Sequence, residues 1–208
     1  MVQRGRTPLH IFVGGNMERK EMLEKLKGKL SDKRFVHSIG VEYTAACLAM
    51  TYKADLQKAR IAGLLHDCAK CLATEEKLKK AEKFGLNINK SERQDPELLH
   101  GKLGAYYAKT KYGVTDREIL DAITYHTTGR PEMTLMDKII FVADYIEPNR
   151  KIIKELPEIR QEAFTDIDKA IVHILKNTLD FLREKTDIID EMTEKTYIYY
   201  LNLLGDKL

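Results

Sequence analysis

The chain is organised around residues 61–70, whose sequence is Ile61-Ala62-Gly63-Leu64-Leu65-His66-Asp67-Cys68-Ala69-Lys70. Because Ala, Leu and Gly let a helix pack closely on every side, we expect this run to form a buried helix. An imidazole and a carboxylate stand side by side where the apolar run ends. Buried polar groups need partners, and a divalent metal is a strong candidate partner for this pair.

The length and composition predict one domain with a sizeable core. The chain has 208 residues, of which 43% are hydrophobic, and this is within the usual size of a single domain. We assign residues 17–208 to that domain. Residues 1–16 have no helical period and are expected to form a flexible extension. The 35 basic and 32 acidic residues nearly balance, which argues against a DNA-binding protein with a strongly basic surface.

The cysteines and the hydropathy predict a cytoplasmic protein. The cysteines are odd in number, namely Cys47, Cys68 and Cys71, and neither a signal peptide nor an apolar run of about 18 residues is present. No disulfide and no membrane contact are therefore expected. Residues 68–71 also have the CxxC spacing, but a structural zinc site would need further ligands, and a thioredoxin-like motif would need a βαβ context.

The hydrophobic periodicity predicts an all-α fold. Residues 34–53 carry apolar side chains on most sides of one long helix, with His37 near its start. Thr115 begins a capping-box sequence for a later helix. Two final helices are expected at residues 165–184 and 187–204. No stretch alternates with the period of two that indicates a strand.

Four of the six histidines fall at predicted helix ends or on buried faces. A single buried histidine is usually only hydrogen-bonded, but four at core-facing positions favour a shared site. Together with two aspartates they form a ligand set suited to one or two transition metals. The set is His37, His66, Asp67, His100, His126 and Asp144. By contrast, His173 shares a helix face with charged residues and is assigned to solvent.

The order of these residues resembles that of the HD-domain metal-dependent phosphohydrolases. Three segments are more specific, and they resemble the YqeK family of symmetrical diadenosine tetraphosphate (Ap4A) hydrolases. The segments are LHDCAK at residues 65–70, HTTG at 126–129 and ADYIEPNR at 143–150. The resemblance covers about residues 18–205, and it implies an HD-type helical bundle around a metal site.

The resemblance also implies an activity and its cofactor. Families of this kind hydrolyse Ap4A and related dinucleoside polyphosphates to ADP with the help of a divalent metal. The expected cofactor is iron, as one or two ions, with manganese or cobalt as substitutes. The expected partners are the dinucleoside polyphosphate substrate and the ADP product, without a membrane or DNA, and a homodimer is left open.

Residue chemistry suggests a role for each candidate ligand. His100 and His126 either complete a second metal site or bind phosphate and donate protons. Asp67, His100 and His126 are the candidate catalytic residues. The ligands expected for the first metal ion are His37, His66, Asp67 and Asp144. Four protein ligands leave coordination positions open for water and phosphate.

Cutting a phosphoanhydride also needs groups that neutralise phosphate oxygens. Arg34 lies three residues before His37, and Lys70 lies three residues after Asp67, so both can reach the same pocket. Arg117 and Arg130 lack such a context and are expected to be solvated. The substrate-binding candidates are Arg34, His37, Lys70, His100, His126, Thr127, Asp144 and Arg150.

Other functions are compatible with the same residues. One alternative is an HD-type phosphohydrolase of different nucleotide specificity. Another is a di-iron HD oxygenase, in which the basic residues would have no obvious task, and a third is a non-enzymatic nucleotide sensor or ribosome-associated protein. For the base, five tyrosines are candidates for stacking and equally for the core. They are Tyr43, Tyr106, Tyr107, Tyr125 and Tyr145.

Overall fold

The computed structural model describes residues 17–151, 153, 155–185 and 188–205. Within those ranges the chain folds into helices and contains no strand, which confirms the all-α prediction. The extension predicted at residues 1–16 lies outside the described residues. None of the described helices is long and apolar enough to cross a membrane.

The described residues contain eleven α-helices and one short 3-10 helix. They are α1 (Arg19–Lys27), α2 (Asp32–Tyr52), α3 (Leu56–Leu65), α4 (Thr74–Lys83), α5 (Lys90–Gln94), the 3-10 helix (Pro96–Leu99), α6 (His100–Tyr112), α7 (Arg117–Tyr125), α8 (Leu135–Ile146), α9 (Leu156–Thr165), α10 (Ile167–Lys185) and α11 (Glu191–Gly205). Three of these differ from the prediction. No helix is predicted where α5 and α9 lie. Helix α11 begins at Glu191 rather than at residue 187, because Asp190 accepts a hydrogen bond from the backbone N–H of Met192.

Short polar side chains start the helices that carry the candidate residues. Ser31 caps α2, and Asp55 caps α3 by accepting two hydrogen bonds from first-turn N–H groups. Asp116 caps α7 in the same way, through two N–H groups. The prediction of Thr115 as this cap is therefore wrong by one residue, since the carboxylate reaches both donors.

Helices α2 and α3 approach each other closely at the centre of the bundle. Ala62 and Gly63 of α3 are buried there. A Cβ added to Gly63 would lie 3.0 Å from the Cα of Glu42 on α2, so the absence of a side chain allows the close contact. Because α3 also packs on α7 and α8, these four helices form the core from which most of the candidate residues project.

The candidate residues gather because several helices end, or begin, at the same place. His66 follows α3, His126 follows α7, and His100 is the first residue of α6. His37 lies in the second turn of α2, and Asp144 lies in the last turn of α8. Groups at helix ends are free of close neighbours on one side, so they can face a common centre.

Two side chains that the sequence assigns to solvent instead join elements together. Arg130 donates to Oδ2 of Asp137 from Nε and Nη2, at 3.0 and 2.7 Å. His173 lies half-buried between Oε2 of Glu162 at 3.0 Å and Oε2 of Glu155 at 3.2 Å. Both predictions were wrong because the partners lie on other turns or helices, which periodicity does not reveal.

Candidate metal centre

The carboxylate of Asp67 lies at the middle of the histidine cluster, and its two oxygens face different groups. Oδ2 is 3.4 Å from Nε2 of His66 and 3.9 Å from Nε2 of His37. Oδ1 is 3.5 Å from Nε2 of His100 and 3.7 Å from Nε2 of His126. One carboxylate therefore stands between two pairs of imidazole nitrogens.

Asp144 adds a second carboxylate on the side of His37 and His66. Its Oδ1 is 2.9 Å from Nε2 of His37 and 3.7 Å from Nε2 of His66. Nitrogen and oxygen atoms of the six predicted ligands form three overlapping triads, in each of which all atoms lie within 4.8 Å of one another. The tertiary structure thus brings all six side chains into one cluster.

Hydrogen bonds to the backbone orient three of the imidazoles. Nδ1 of His66, His100 and His126 donates to the carbonyl oxygen three residues earlier, at 2.7, 2.5 and 2.7 Å respectively. A carbonyl oxygen can only accept, so each Nδ1 carries a proton. Nε2 is then the nitrogen that carries the lone pair of the neutral ring, and in all three residues it faces the cluster.

Burial and neighbouring groups set the ionisation of the cluster. Burial lowers the pKa of His100 to about 3, so this ring is neutral near pH 7. Burial alone would raise the pKa of the Asp67 carboxyl, but the electrostatic interaction with His66 holds it well below its usual range. A neutral imidazole beside an ionised carboxylate is the state in which these groups bind metals.

The polar atoms at the centre fit a divalent metal ion. Oδ1 of Asp67 is buried and has no hydrogen-bond partner within the described ranges. A buried acceptor without a donor is costly, and a cation between this oxygen and the Nε2 atoms of His100 and His126 would remove that cost. Imidazole nitrogens combined with carboxylate oxygens are a donor set for first-row transition metals.

Glu147 is a buried residue of the centre that the sequence reasoning missed. Its Oε1 is 3.1 Å from Nδ1 of His37, and its Oε2 accepts the backbone N–H of Asn149 at 2.7 Å. A carboxylate in this place fixes the ring of His37 and directs Nε2 to the cluster. A side chain at Gly40 would clash with Oε2. The sequence did contain a signal for this residue. Glu147 follows Asp144 by three residues, a spacing that places two side chains close together on a helix.

Replacement of Glu147 by Gln is expected to lower metal affinity and activity by about 10–100-fold. The amide oxygen of Gln can still accept from Asn149, which leaves the amide N–H groups facing His37. His37 would then have to accept at Nδ1 and carry its proton at Nε2, which cannot bind a metal while protonated. Metal content per chain and kcat/KM measure the effect. The exposed Glu158→Gln variant is the matched control, and equal metal content in both variants would contradict this role.

Three of the predicted phosphate-binding residues border the cluster. Nη1 of Arg34 donates to Oδ2 of Asp67 at 2.6 Å. Oγ1 of Thr127 is 3.0 Å from Nε2 of His100, and Nζ of Lys70 is 3.3 Å from Nδ1 of the same ring. Donors are thus placed on both sides of Asp67, where phosphate oxygens next to a metal would lie.

The fourth, Arg150, lies in a basic cleft that opens next to His37. The cleft has a volume of about 560 Å³. The first turn of α2 also borders it, and helix N-termini favour anions. Its cationic lining residues are Lys33, Arg34, Arg150 and Lys151. This basic cleft has the charge and the position to hold a chain of phosphates beside the cluster.

The CxxC segment does not take part in the cluster. Cys68 is buried, and burial raises the pKa of its thiol. Cys71 is exposed, and its Sγ donates to the carbonyl oxygen of Cys68. Within the described residues, neither cysteine belongs to a group that could hold a metal, which disfavours the zinc and thioredoxin-like interpretations.

Of the five candidate tyrosines, Tyr145 lies next to a residue of the basic cleft. Tyr107 is buried, and Tyr106 stacks on Phe84 with ring centroids 4.1 Å apart. The ring of Tyr145 lies 5.4 Å from the guanidinium carbon of Arg150. Tyr145 is therefore the tyrosine best placed to meet a nucleoside.

Comparison with known proteins gives matches along most of the chain. The HD domain family matches residues 34–149. A symmetrical bis(5'-nucleosyl)-tetraphosphatase from Bacillus subtilis (strain 168) is 43% identical over 183 residues, which are 87% of this chain and 96% of that protein. A protein of the same name from Staphylococcus aureus is 38% identical over 187 residues, 89% of this chain and 94% of its own length.

A solved structure extends the likeness to the fold. The crystal structure of an HD superfamily hydrolase from Clostridium acetobutylicum, described as involved in NAD metabolism, superimposes with a TM-score of 0.88. It is 39% identical and covers 91% of this chain and 100% of that one. The similarity of fold therefore extends well beyond the residues that the HD domain family matches.

Proposed function

This chain belongs to the HD domain family and, within it, to the symmetrical bis(5'-nucleosyl)-tetraphosphatases, and we propose that it hydrolyses Ap4A and related dinucleoside polyphosphates to ADP. Its relatives are hydrolases, and so is this chain. The observation that carries the proposal is the buried histidine and aspartate cluster, which lies directly beside a basic cleft. Such a pairing suits a substrate whose reacting part is a chain of phosphates.

We propose that divalent metal is held at two places in the cluster. His37, His66, Asp67 and Asp144 would hold one ion, and Asp67 with His100 and His126 would hold the other. The support is that the two oxygens of Asp67 face separate pairs of imidazoles. Iron is the proposed resident metal, with manganese or cobalt as substitutes, because all three accept mixed imidazole and carboxylate ligands.

Hydrolysis adds one water across the central anhydride bond of the tetraphosphate. Bound metal supplies an activated water and neutralises phosphate oxygens. The water oxygen bonds to one of the two central phosphorus atoms, the bond from that phosphorus to the bridging oxygen breaks, and the bridging oxygen leaves with the other ADP. With the terminal phosphates of both products ionised, the two hydrogens of the water leave as protons, so the products are two ADP.

The chain's own cationic and hydroxyl groups bind the phosphates in this proposal. Arg34 and Arg150 line the basic cleft and can each present two N–H groups to a phosphate. Lys70 and Thr127 reach the phosphate from the side of His100. Because Nδ1 of His100 donates to a backbone carbonyl and its Nε2 faces Asp67, we assign His100 to metal binding rather than to proton donation.

The compartment and the oligomeric state remain proposals. All three cysteines are free, which fits a reducing compartment, and we propose that the protein works in the cytoplasm. The homodimer left open by the sequence stays a prediction, and sedimentation of the metal-loaded protein would measure it.

The product pattern tests the proposed activity. Protein loaded with ferrous iron under anaerobic conditions is expected to convert Ap4A to ADP alone, since attack at either central phosphorus yields the same two products. Separation of the nucleotides by chromatography measures this, and protein stripped of metal by a chelator is the control. ATP and AMP as products would contradict symmetrical cleavage. Activity that requires O₂ would instead favour the alternative of a di-iron HD oxygenase.

A further inference from the structure

A second pocket adjoins the basic cleft at Arg150, which lines both. We propose that this pocket binds the nucleoside of one half of the substrate, an inference that rests on the proposed function. The pocket has a volume of about 620 Å³, which is ample for a purine and its ribose. Its lining includes Tyr145, Arg150, Ile153, Glu155, Asn177 and Phe181, and we call it the nucleoside pocket.

The first argument is the exposed apolar surface inside a concave site. Phe181 on α10 is 58% exposed, and Ile153 is 38% exposed. Large side chains of this type are usually buried, and together with the ring of Tyr145 they give the pocket apolar and aromatic walls. Stacking on aromatic side chains is the general way in which proteins bind unpaired bases, because every base has a π-face.

The second argument is the charge of the two neighbouring sites. Four cations and the carboxylates of Asp32 and Glu147 line the basic cleft, so positive charge is in excess there. Among the described residues that line the nucleoside pocket, Arg150 is the one cation. Glu155 and Asp180 place carboxylates in the same pocket. Carboxylates repel phosphate but accept hydrogen bonds from ribose hydroxyls and from an exocyclic amino group. The charges therefore direct the phosphates to the cleft and the neutral nucleoside to the pocket.

The third argument is the fixed arrangement of the polar groups. Asn177 lines the pocket together with Tyr145 and Glu155. Nε2 of His173 lies 3.2 Å from Oε2 of Glu155. Groups held in place before a ligand arrives lose little entropy on binding. The pocket thus offers placed hydrogen-bonding groups beside an apolar wall, as small-molecule sites usually do.

The fourth argument is continuity with the metal centre. Tyr145, which lines the pocket, follows the proposed ligand Asp144 directly on α8. Arg150 stands where the cleft and the pocket meet. A diphosphate that extends from the cluster past Arg150 would deliver its ribose and base to Tyr145 and Phe181.

The proposal is tested by comparing ADP with inorganic pyrophosphate, which has the diphosphate but no nucleoside. Calorimetry on metal-loaded Phe181→Ala is expected to show an approximately tenfold weaker Kd for ADP and an unchanged Kd for pyrophosphate, because only the stacking contact is lost. Phe164→Ala, which removes a similarly exposed phenylalanine on α9, is the matched control and should bind ADP like the wild type. An unchanged Kd for ADP in Phe181→Ala, or an equal loss for both ligands, would overturn the proposal.

A second variant gives a direct optical signal and does not remove the aromatic ring. The chain contains no tryptophan, so Phe181→Trp carries a single indole in the pocket. ADP is expected to change its fluorescence, whereas pyrophosphate is not, and Phe164→Trp should respond to neither. No response of Phe181→Trp to saturating ADP would reject the pocket. Failure of the proposed function would give a different result from failure of the pocket. Wild-type protein would then bind ADP through Phe181 but would not form ADP from Ap4A.

Discussion

Replacement of Asp67 by Asn is expected to reduce kcat/KM for Ap4A by about 10³-fold, equivalent to about 4 kcal/mol of transition-state stabilisation. Asn has the same shape but carries no charge, and only one of its two terminal atoms can accept. Because both oxygens of Asp67 face imidazole nitrogens, the variant would lose one bridging contact entirely and weaken the other. Metal content should fall together with activity.

The measurement is metal per chain by mass spectrometry beside steady-state kinetics on the same sample. Asp121→Asn is the control, because Asp121 pairs with Arg117 and Arg130 away from the cluster and its loss should leave both values unchanged. Circular dichroism verifies that both variants are folded. Wild-type activity in folded Asp67→Asn would refute the central position that we assign to this carboxylate.

Replacement of Gly101 by Ala is expected to lower the free energy of unfolding by about 3 kcal/mol, the upper part of the usual range for an overfilled core. A Cβ at this position would lie 2.6 Å from the carbonyl oxygen of Thr124 and 3.3 Å from that of Ile123. Both atoms belong to the backbone, so α6 and α7 must move apart. That movement separates His100 from His126, and activity should fall as well.

Thermal unfolding followed by circular dichroism checks this result, with an expected decrease in Tm of about 9 °C for a chain of this length. Gly28→Ala is the matched control. Gly28 has a φ of −77°, and nothing lies closer than 3.6 Å to its added Cβ, so the substitution should change Tm little. Equal Tm values for the two variants would show that α6 and α7 have more room than the structure indicates.

The amino-acid sequence by itself predicted most of the helices and the residue types of the candidate site. Helical periodicity is a local property, so the long helix α2 and the buried run of α3 could be read directly from the apolar positions. The histidines and aspartates could be chosen because they stand at helix ends or on buried faces. Their order along the chain, together with the three specific segments, was enough to indicate the family.

Only the tertiary structure decided how these residues meet. His37 and Glu147 are 110 residues apart in the chain, yet their side chains lie within 3.1 Å, so the role of Glu147 depends on the packing of α2 against α8. The proposed role of Phe181 also depends on packing, because its exposed ring forms part of a pocket only together with Tyr145 and Arg150. Periodicity fixes which face of a helix is buried, but contacts between distant helices depend on packing, which no local pattern encodes.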